Sequence, residues 1–273
     1  MKPLPVFLAA LGCAAAVAQT IPDTHEKLMP TLWVQTSVEW RALAVQAYRT
    51  ARTSLDAALK EKRWTAALEQ SGFYRKLPPA IILDIDETVL DNSPAQARQV
   101  LARSGFTVEG WNEWVREAAA EEIPGSSEFC RYAASRKVTV FYLSNRDAGS
   151  EADTRRNLQR LGFPLAEGTD TVLLRGEKPE WQSEKTPRRR MVAERYRVLL
   201  LVGDDFGDFA AGVRTGVEQR REISSANGER WGKQWIMIPN PGYGSWEGAL
   251  LEPERPTTPL EQLWKKETWL RTK

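Results

Sequence analysis

The stretch AIILDIDETVLDNSP, residues 80–94, sets Asp84, Asp86, Glu87 and Asp91 close together directly after four apolar residues. Carboxylates this close repel one another, so a chain that gathers them must also neutralise them. Two other apolar runs end in polar clusters. In KVTVFYLSNRD the run Val138 to Leu143 stops at Ser144, Asn145 and Arg146; in YRVLLLVGDDFGDF the run Val198 to Val202 stops at Gly203, followed by Asp204, Asp205 and Asp208. An Asp or Ser at any one of these ends is equally well a helix cap or a turn residue. Gathered in one crevice, the acids need a counter-ion. His25 is the sole histidine and no cysteine falls in these runs, so a hard cation on oxygen ligands, such as Mg²⁺, is the natural choice. The cluster then reads as a metal site together with a carboxylate nucleophile. The single histidine excludes Ser-His-Asp hydrolases and histidine-dependent phosphatases.

A phosphate held by such a metal calls for a cationic side chain. GEKPEWQSEKTPRRRMVAERYR offers Lys178 and Lys185. Thr186 followed by Pro187 reads as an N-cap with proline at the first helical position, which puts Lys185 just before a helix N-terminus and makes it the preferred candidate. Arg188 to Arg190 read as a solvated helix face.

Positioning these groups is the work of the elements around them. The runs 80–83, 138–143 and 198–202 are short, bulky and rich in β-branched residues, as strands buried on both faces are. They alternate with helical patterns, one of which passes through Leu158 and Leu161 to a stop at Gly162 and Pro164. That alternation predicts an αβ fold with a parallel sheet, whose ligands bind outside the carboxyl ends of the strands. Upstream, Val38, Leu43, Ala44, Ala47, Tyr48, Ala51, Leu55 and Leu59 recur at three- and four-residue spacing, an amphipathic helix; His25 precedes it as a solvated tail residue. PERPTTP, residues 253–259, reads as an irregular connection, and no internal repeat is present.

At 273 residues the chain can bury a full core. Its 38 Lys and Arg against 36 Asp and Glu give no electrostatic case for a nucleic-acid partner. The N-terminus, MKPLPVFLAALGCAAAVAQT, has one basic residue, an apolar run and small residues ending at Ala18, a secretory leader too short to span a membrane. Leu11-Gly12-Cys13 competes as a lipidation box, so both routes stay open: a soluble periplasmic protein starting at Gln19, or one anchored to the outer membrane through Cys13. Either leaves no intrachain disulfide, and Cys130 reads as a small buried hydrophobe.

DIDETVLDNSP, YLSNR, KTPRR and GDDFGDF together resemble the four motifs of the haloacid dehalogenase superfamily in the form of bacterial class C acid phosphatases, a group that includes outer-membrane 5′-nucleotidase lipoproteins. VQTSVEWRALAVQAY, EGWNEWV and IPNPGYGSWEG extend the resemblance over most of the mature chain. Asp205 stands where Asn is more usual, and Ala95 where an aromatic is. The resemblance implies a Rossmann-like parallel-sheet core over residues 77–240 and a mainly helical cap made of the segment 19–76, the insertion 92–125 and the segment 241–273. It implies an Mg²⁺-dependent hydrolase of phosphomonoesters, with nucleoside 5′-monophosphates as substrates. Asp84 is then the nucleophile and Asp86 the acid that protonates the leaving alcohol and later activates water, a division of labour that favours acid pH. Asp84, the Asp86 carbonyl and Asp204 bind the metal, with Asp208 and Asp205 acting behind them. Ser144 and Asn145 donate to phosphoryl oxygens, Lys185 balances charge, Thr88 orients the loop, and Trp111 and Tyr243 form a stacking slot for a nucleobase. A non-catalytic surface protein binding nucleotide on the same fold is the alternative; it would need neither Asp84 nor Asp86.

Overall fold

The computed structural model describes residues 25–273, so the leader, its cleavage sites and Cys13 lie outside the described residues. The strands are β1 (Pro79–Leu83), β2 (Leu90–Asp91), β3 (Glu121–Glu122), β4 (Thr139–Asp147), β5 (Val172–Arg175), β6 (Arg197–Gly203) and β7 (Trp235–Met237). Five of them form one parallel sheet in the order β5-β4-β1-β6-β7. The uninterrupted apolar runs follow from burial on both faces. Ile81, Leu83, Val140 and Tyr142 pack into one core with Tyr48 and Leu55. Ala80, Ile82, Phe141 and Leu143 pack into the other with Val192 and Phe209.

From β1 the chain moves outward to β4 and β5, then returns to lay β6 and β7 on the other side. The carboxyl end of β1 is therefore the switch point of the sheet, where a crevice opens between loops that diverge to either side. The three predicted strand ends, after β1, β4 and β6, meet there.

The helices are α1 (Leu28–Thr36), α2 (Val38–Lys60), α3 (Ser93–Leu101), α4 (Val108–Glu117), α5 (Ser126–Ser135), α6 (Glu151–Arg160), α7 (Thr186–Arg195), α8 (Val217–Ala226), α9 (Ser245–Ala249) and α10 (Pro259–Glu267). None among the described residues is long and apolar enough to cross a membrane. The single predicted N-terminal helix is two. Ser37 is extended, and its hydroxyl accepts the Trp40 N–H at 3.1 Å, ending α1 and capping α2. The buried stripe of α2 runs through Trp40, Ala44, Tyr48, Ala51, Leu55 and Ala58, whereas Val38 is 76% exposed and Leu43 44%. Small alanines in that stripe let α2 lie close against β6, β7 and α5, so it belongs to the layer flanking the sheet rather than to a cap; α1 is the part that reaches α3. His25, expected as a solvated tail residue, is half-buried and bonds the Ser104 carbonyl through Nε2 at 3.0 Å.

β2 pairs antiparallel with β3 and closes the neck of an insertion that carries α3 and α4 over the crevice. Asp91 starts α3 by accepting the Ser93 N–H at 2.8 Å, and Thr107 caps α4 by accepting from Gly110 at 3.1 Å. Beyond the connection 253–259, Thr258 and Glu261 form a capping box for α10. Lys266 of that helix bridges Glu26 at 2.8 Å and Glu247 at 2.7 Å, fastening the two ends of the described chain beside the crevice.

The shifted stripe on α2 is measurable. Leu55→Ala is expected to cost about 2–5 kcal/mol by removing a fully buried side chain, while Val38→Ala should change stability by less than about 0.5 kcal/mol. Urea unfolding of both variants checks the contrast, and equal losses would place the buried face elsewhere.

Candidate active site

The Asp84 N–H donates to the Val202 carbonyl at 2.9 Å, continuing the β1–β6 ladder one residue past the strand and pinning Asp84 at the sheet's edge. The chain then turns tightly: the Val89 and Leu90 N–H groups both reach the Ile85 carbonyl at 2.9 Å, and Glu87 takes a left-handed φ of 57°. From the opposite loop, Gly203 lets Asp208 fold back against the end of β6, since a Cβ there would lie 2.6 Å from the Asp208 carboxyl carbon. Lys185, immediately before α7, donates to Asp84 and, at 2.6 Å, to Asp208; all three are buried. Lys178 is instead exposed over the Trp181 ring at 4.4 Å.

Oxygens of Asp84, Asp204 and Asp208 lie within 4.8 Å of one another. Asp204 accepts from Thr88 Oγ1 at 3.1 Å and from Asn240 Nδ2 at 2.8 Å. Burial lifts all three carboxyls above their ordinary range; among them Asp84 and Asp208 raise Asp204 further, and Asp208 and Asp86 raise Asp84 against the opposing pull of Lys185. Burial works against the Lys185 ammonium, but Asp208 and Asp84 more than offset it and hold the proton on. Three carboxylates facing one ammonium leave a negative excess, and every donor is oxygen. A hard divalent cation fits this set, with Asp84, Asp204 and Asp208 as the carboxylates able to hold it. Asp205 points elsewhere and accepts from Gly207 N at 2.8 Å and from Ser245 Oγ at 2.8 Å, tying the start of α9 to the acid loop.

Asp86 is held from three sides. It accepts from Ser144 Oγ at 3.0 Å, Asn92 Nδ2 at 3.0 Å, and the Arg146 guanidinium at 3.0 and 2.8 Å. Ser144 is fully buried and directs its hydroxyl to Asp86, in place of the expected bond to phosphate. Asn145 lines the cavity, donating to the Ser183 carbonyl at 3.0 Å. Thr88, expected to orient the loop, is fully buried behind Asp204 and does not line the cavity; its hydroxyl donates to Asp204 at 3.1 Å and its carbonyl accepts from Tyr48 at 2.6 Å.

The arginines after Lys185 overturn the expected solvated face. Arg188 and Arg189 are both fully buried and only Arg190 is exposed. Arg188 donates to the Ser144 carbonyl at 2.5 Å and to Asn145 Oδ1 at 2.6 Å, and burial lowers its pKa to about 10. Arg189 donates to the Gly207 and Asp208 carbonyls at 2.9 and 3.2 Å and pairs with Glu69 at 2.8 Å. Sequence reasoning assigns no site role to these two side chains, nor to Asn92, Arg146 and Asn240, although each lies inside or beside a motif run. Burial of an arginine within an RRR string leaves no periodic mark.

Above the acids opens a cavity of about 810 Å³. Trp111 and Phe106 of the insertion form one wall, with ring centroids 6.4 Å apart, and Tyr243 forms part of another. The Arg146 guanidinium sits 5.7 Å from the Trp111 ring, and Lys27 Nζ 5.6 Å from the Tyr243 ring. Trp111 and Tyr243 thus reach one cavity from segments far apart in the chain.

A parallel sheet whose switch point carries clustered aspartates, a buried lysine and a covering insertion is the arrangement of haloacid dehalogenase enzymes. The sequence matches the family model of the HAD superfamily, subfamily IIIB (acid phosphatase), over residues 8–246, and the chain belongs to that family. Its structure is similar to that of the class C acid phosphatase from Bacillus anthracis: 35% identity, TM-score 0.78, covering 90% of this chain and 97% of that one. It is also similar to the tungstate-bound form of that enzyme, at 34% identity and TM-score 0.77, with coverage of 90% and 97%. Stem 31 kDa glycoprotein of Glycine max is 26% identical over 130 residues, 46% of this chain, and acid phosphatase 1 of Solanum lycopersicum 26% over 131 residues, again 46%. The match spans about half, 50%, of the length of each of these two plant relatives.

Cys130 sits in the core away from this site, and burial pushes its thiol up to about 12. An ordinary thiol is about half thiolate near pH 8.5, so iodoacetamide at that pH should leave Cys130 unmodified in the native protein and alkylate it in urea. Peptide mass mapping reads this directly; rapid native labelling would mean an accessible thiolate.

Proposed function

We propose that the protein hydrolyses phosphomonoesters with Mg²⁺, through an aspartyl-phosphate on Asp84, and that nucleoside 5′-monophosphates are its substrates. The observation that carries this reading is Asp84 itself: a buried carboxylate fixed to Lys185 beside Asp204 and Asp208, at the floor of a cavity walled by aromatic rings. The leader pattern supports an activity outside the cytoplasm. Tungstate is a tetrahedral oxyanion like phosphate, and its complex with the Bacillus anthracis enzyme supports a phosphoryl site on this fold.

In this mechanism an Asp84 oxygen attacks phosphorus as the bond to the leaving oxygen breaks, and Asp86 supplies the proton that the departing alcohol takes up. Asp86 then removes a proton from water, which attacks the aspartyl-phosphate, releases inorganic phosphate and restores Asp84. Lys185 opposes the burial that favours the neutral form of Asp84 and stands ready for a phosphoryl oxygen. Ser144, Asn92 and Arg146 fix the orientation of Asp86 through both steps. Asp84, Asp204 and Asp208 are the side chains that would hold the cation, which would supply charge neutralisation for the phosphoryl group. A base stacked between Trp111 and Tyr243 would gain about 1–3 kcal/mol without regard to its identity.

Asp84→Asn should fold as wild type and lose at least about three decades in kcat, roughly 4 kcal/mol of barrier. Asp86→Asn should lose most with poor leaving groups, because activated aryl phosphates need less proton donation. Phosphate release from p-nitrophenyl phosphate and from a panel of nucleotides and sugar phosphates measures both; a tenth of wild-type activity in Asp84→Asn removes it as nucleophile. For the metal, chelation should abolish turnover and Mg²⁺ restore it, and Mg²⁺ should raise Tm in wild type but not in Asp204→Asn. Full activity in chelated, metal-free protein would end the Mg²⁺ reading.

A further inference from the structure

Glu87 follows the second acid of the nucleophile loop, yet it has no part in the chemistry above. It is 6% exposed, and among the described residues no Lys or Arg pairs with it. A buried carboxyl without a counter-ion is costly unless hydrogen bonds satisfy its oxygens. Two of its three partners are local. Oε1 accepts from the Asn92 N–H at 3.0 Å and from Gln96 Nε2 at 3.4 Å, both at the start of α3, and Asn92 Nδ2 approaches Oε2 at 3.4 Å. The third partner is the hydroxyl of Tyr243, 156 residues away, which donates to Oε2.

Tyr243 needs an external hold. It stands between Gly242 and Gly244, the second at φ 147°, so its own backbone restrains the ring weakly. Gly242 is pressed against the same part of α3, since a Cβ there would lie 2.5 Å from Gln96 Oε1. The loop is therefore docked on α3 by a glycine and anchored at its ends by Asn240 on Asp204 and Ser245 on Asp205, while the ring itself is joined to the nucleophile loop by a single hydroxyl.

From this geometry we propose that Glu87 is a positioning residue for substrate selectivity: by accepting from the Tyr243 hydroxyl it fixes that ring at a set distance from Asp84. The proposal rests on the reading that the ring stacks on a substrate base. A tethered ring presents its face without paying, at each binding event, the entropy of ordering a glycine-flanked loop. Removing the tether while keeping the ring should then weaken binding of ring-bearing substrates specifically. The quantity to measure is the ratio of kcat/KM for a nucleoside 5′-monophosphate to kcat/KM for glycerol phosphate.

Tyr243→Phe keeps the stacking face and deletes the hydroxyl. Its ratio should fall by about 3- to 10-fold, the scale of one ordinary hydrogen bond, through KM for the nucleotide rather than kcat. Glu87→Gln with Tyr243→Phe should be no worse than the more affected single variant, because both remove one interaction. A wild-type ratio in Tyr243→Phe alongside a lowered ratio in Tyr243→Ala overturns the Glu87 tether and leaves the stacking reading standing. Wild-type ratios in both Tyr243→Phe and Tyr243→Ala sink the stacking reading, and the tether with it. Should Glu87→Gln fail to fold, the Phe and Ala variants still decide between these outcomes.

Discussion

The Lys185 ammonium between Asp84 and Asp208 is the interaction on which the other features of the site depend. It joins groups 101 and 23 residues apart in a place where a lone charge would be prohibitively unfavourable. Such a pair persists only if its geometry is enforced from outside, and the enforcement comes from two arginines just beyond it. Arg188 grips the end of β4 through the Ser144 carbonyl and Asn145, and Arg189 grips the loop after β6 through the Gly207 and Asp208 carbonyls. The start of α7 is thus a clamp on two strand ends, with Lys185 reaching the third. The sheet supplies the coarse convergence, and this short basic segment sets the fine distances.

The three central strands, β1, β4 and β6, are legible in the sequence because their burial on both faces leaves continuous apolar runs that few other elements would carry, whereas β5 and β7, four and three residues long at the edges of the sheet, leave no such run. The acids after them are legible because unpaired carboxylates following such runs require a common explanation. What escapes does so for physical reasons. A helix stripe made of Ala44, Ala51 and Ala58 carries little hydrophobic contrast, so the larger Val38 and Leu43 point to the wrong edge of α2 although both are exposed. Ser37 hides the break between α1 and α2, since a serine caps or continues a helix according to a backbone angle that composition does not report.

Roles are harder to see than positions. Ser144 and Asp86 are 58 residues apart, and only the parallel pairing of β1 with β4 brings the hydroxyl to that carboxylate and away from the cavity. Asp205 looks in sequence like one more acid of the cluster, but the short helical turn it caps carries its side chain toward Ser245. In each case residue type announces a polar contact, while the partner is decided by tertiary register.

These long-range partners also make the two walls of the cavity unequal. On the C-terminal side, Asn240 is bound to Asp204, Tyr243 to Glu87 and Ser245 to Asp205, so three acids of the catalytic loops hold one short segment. Any change in that wall pulls on groups that also position the carboxylates. The insertion wall is looser: Phe106 is 58% exposed, and its described ring contact is with Trp111. A substitution there alters the shape offered to a substrate without touching a hydrogen bond to Asp84, Asp204 or Asp208. The constraint that keeps the acids in place therefore leaves the insertion as the side on which substrate preference can vary with least disturbance to the chemistry.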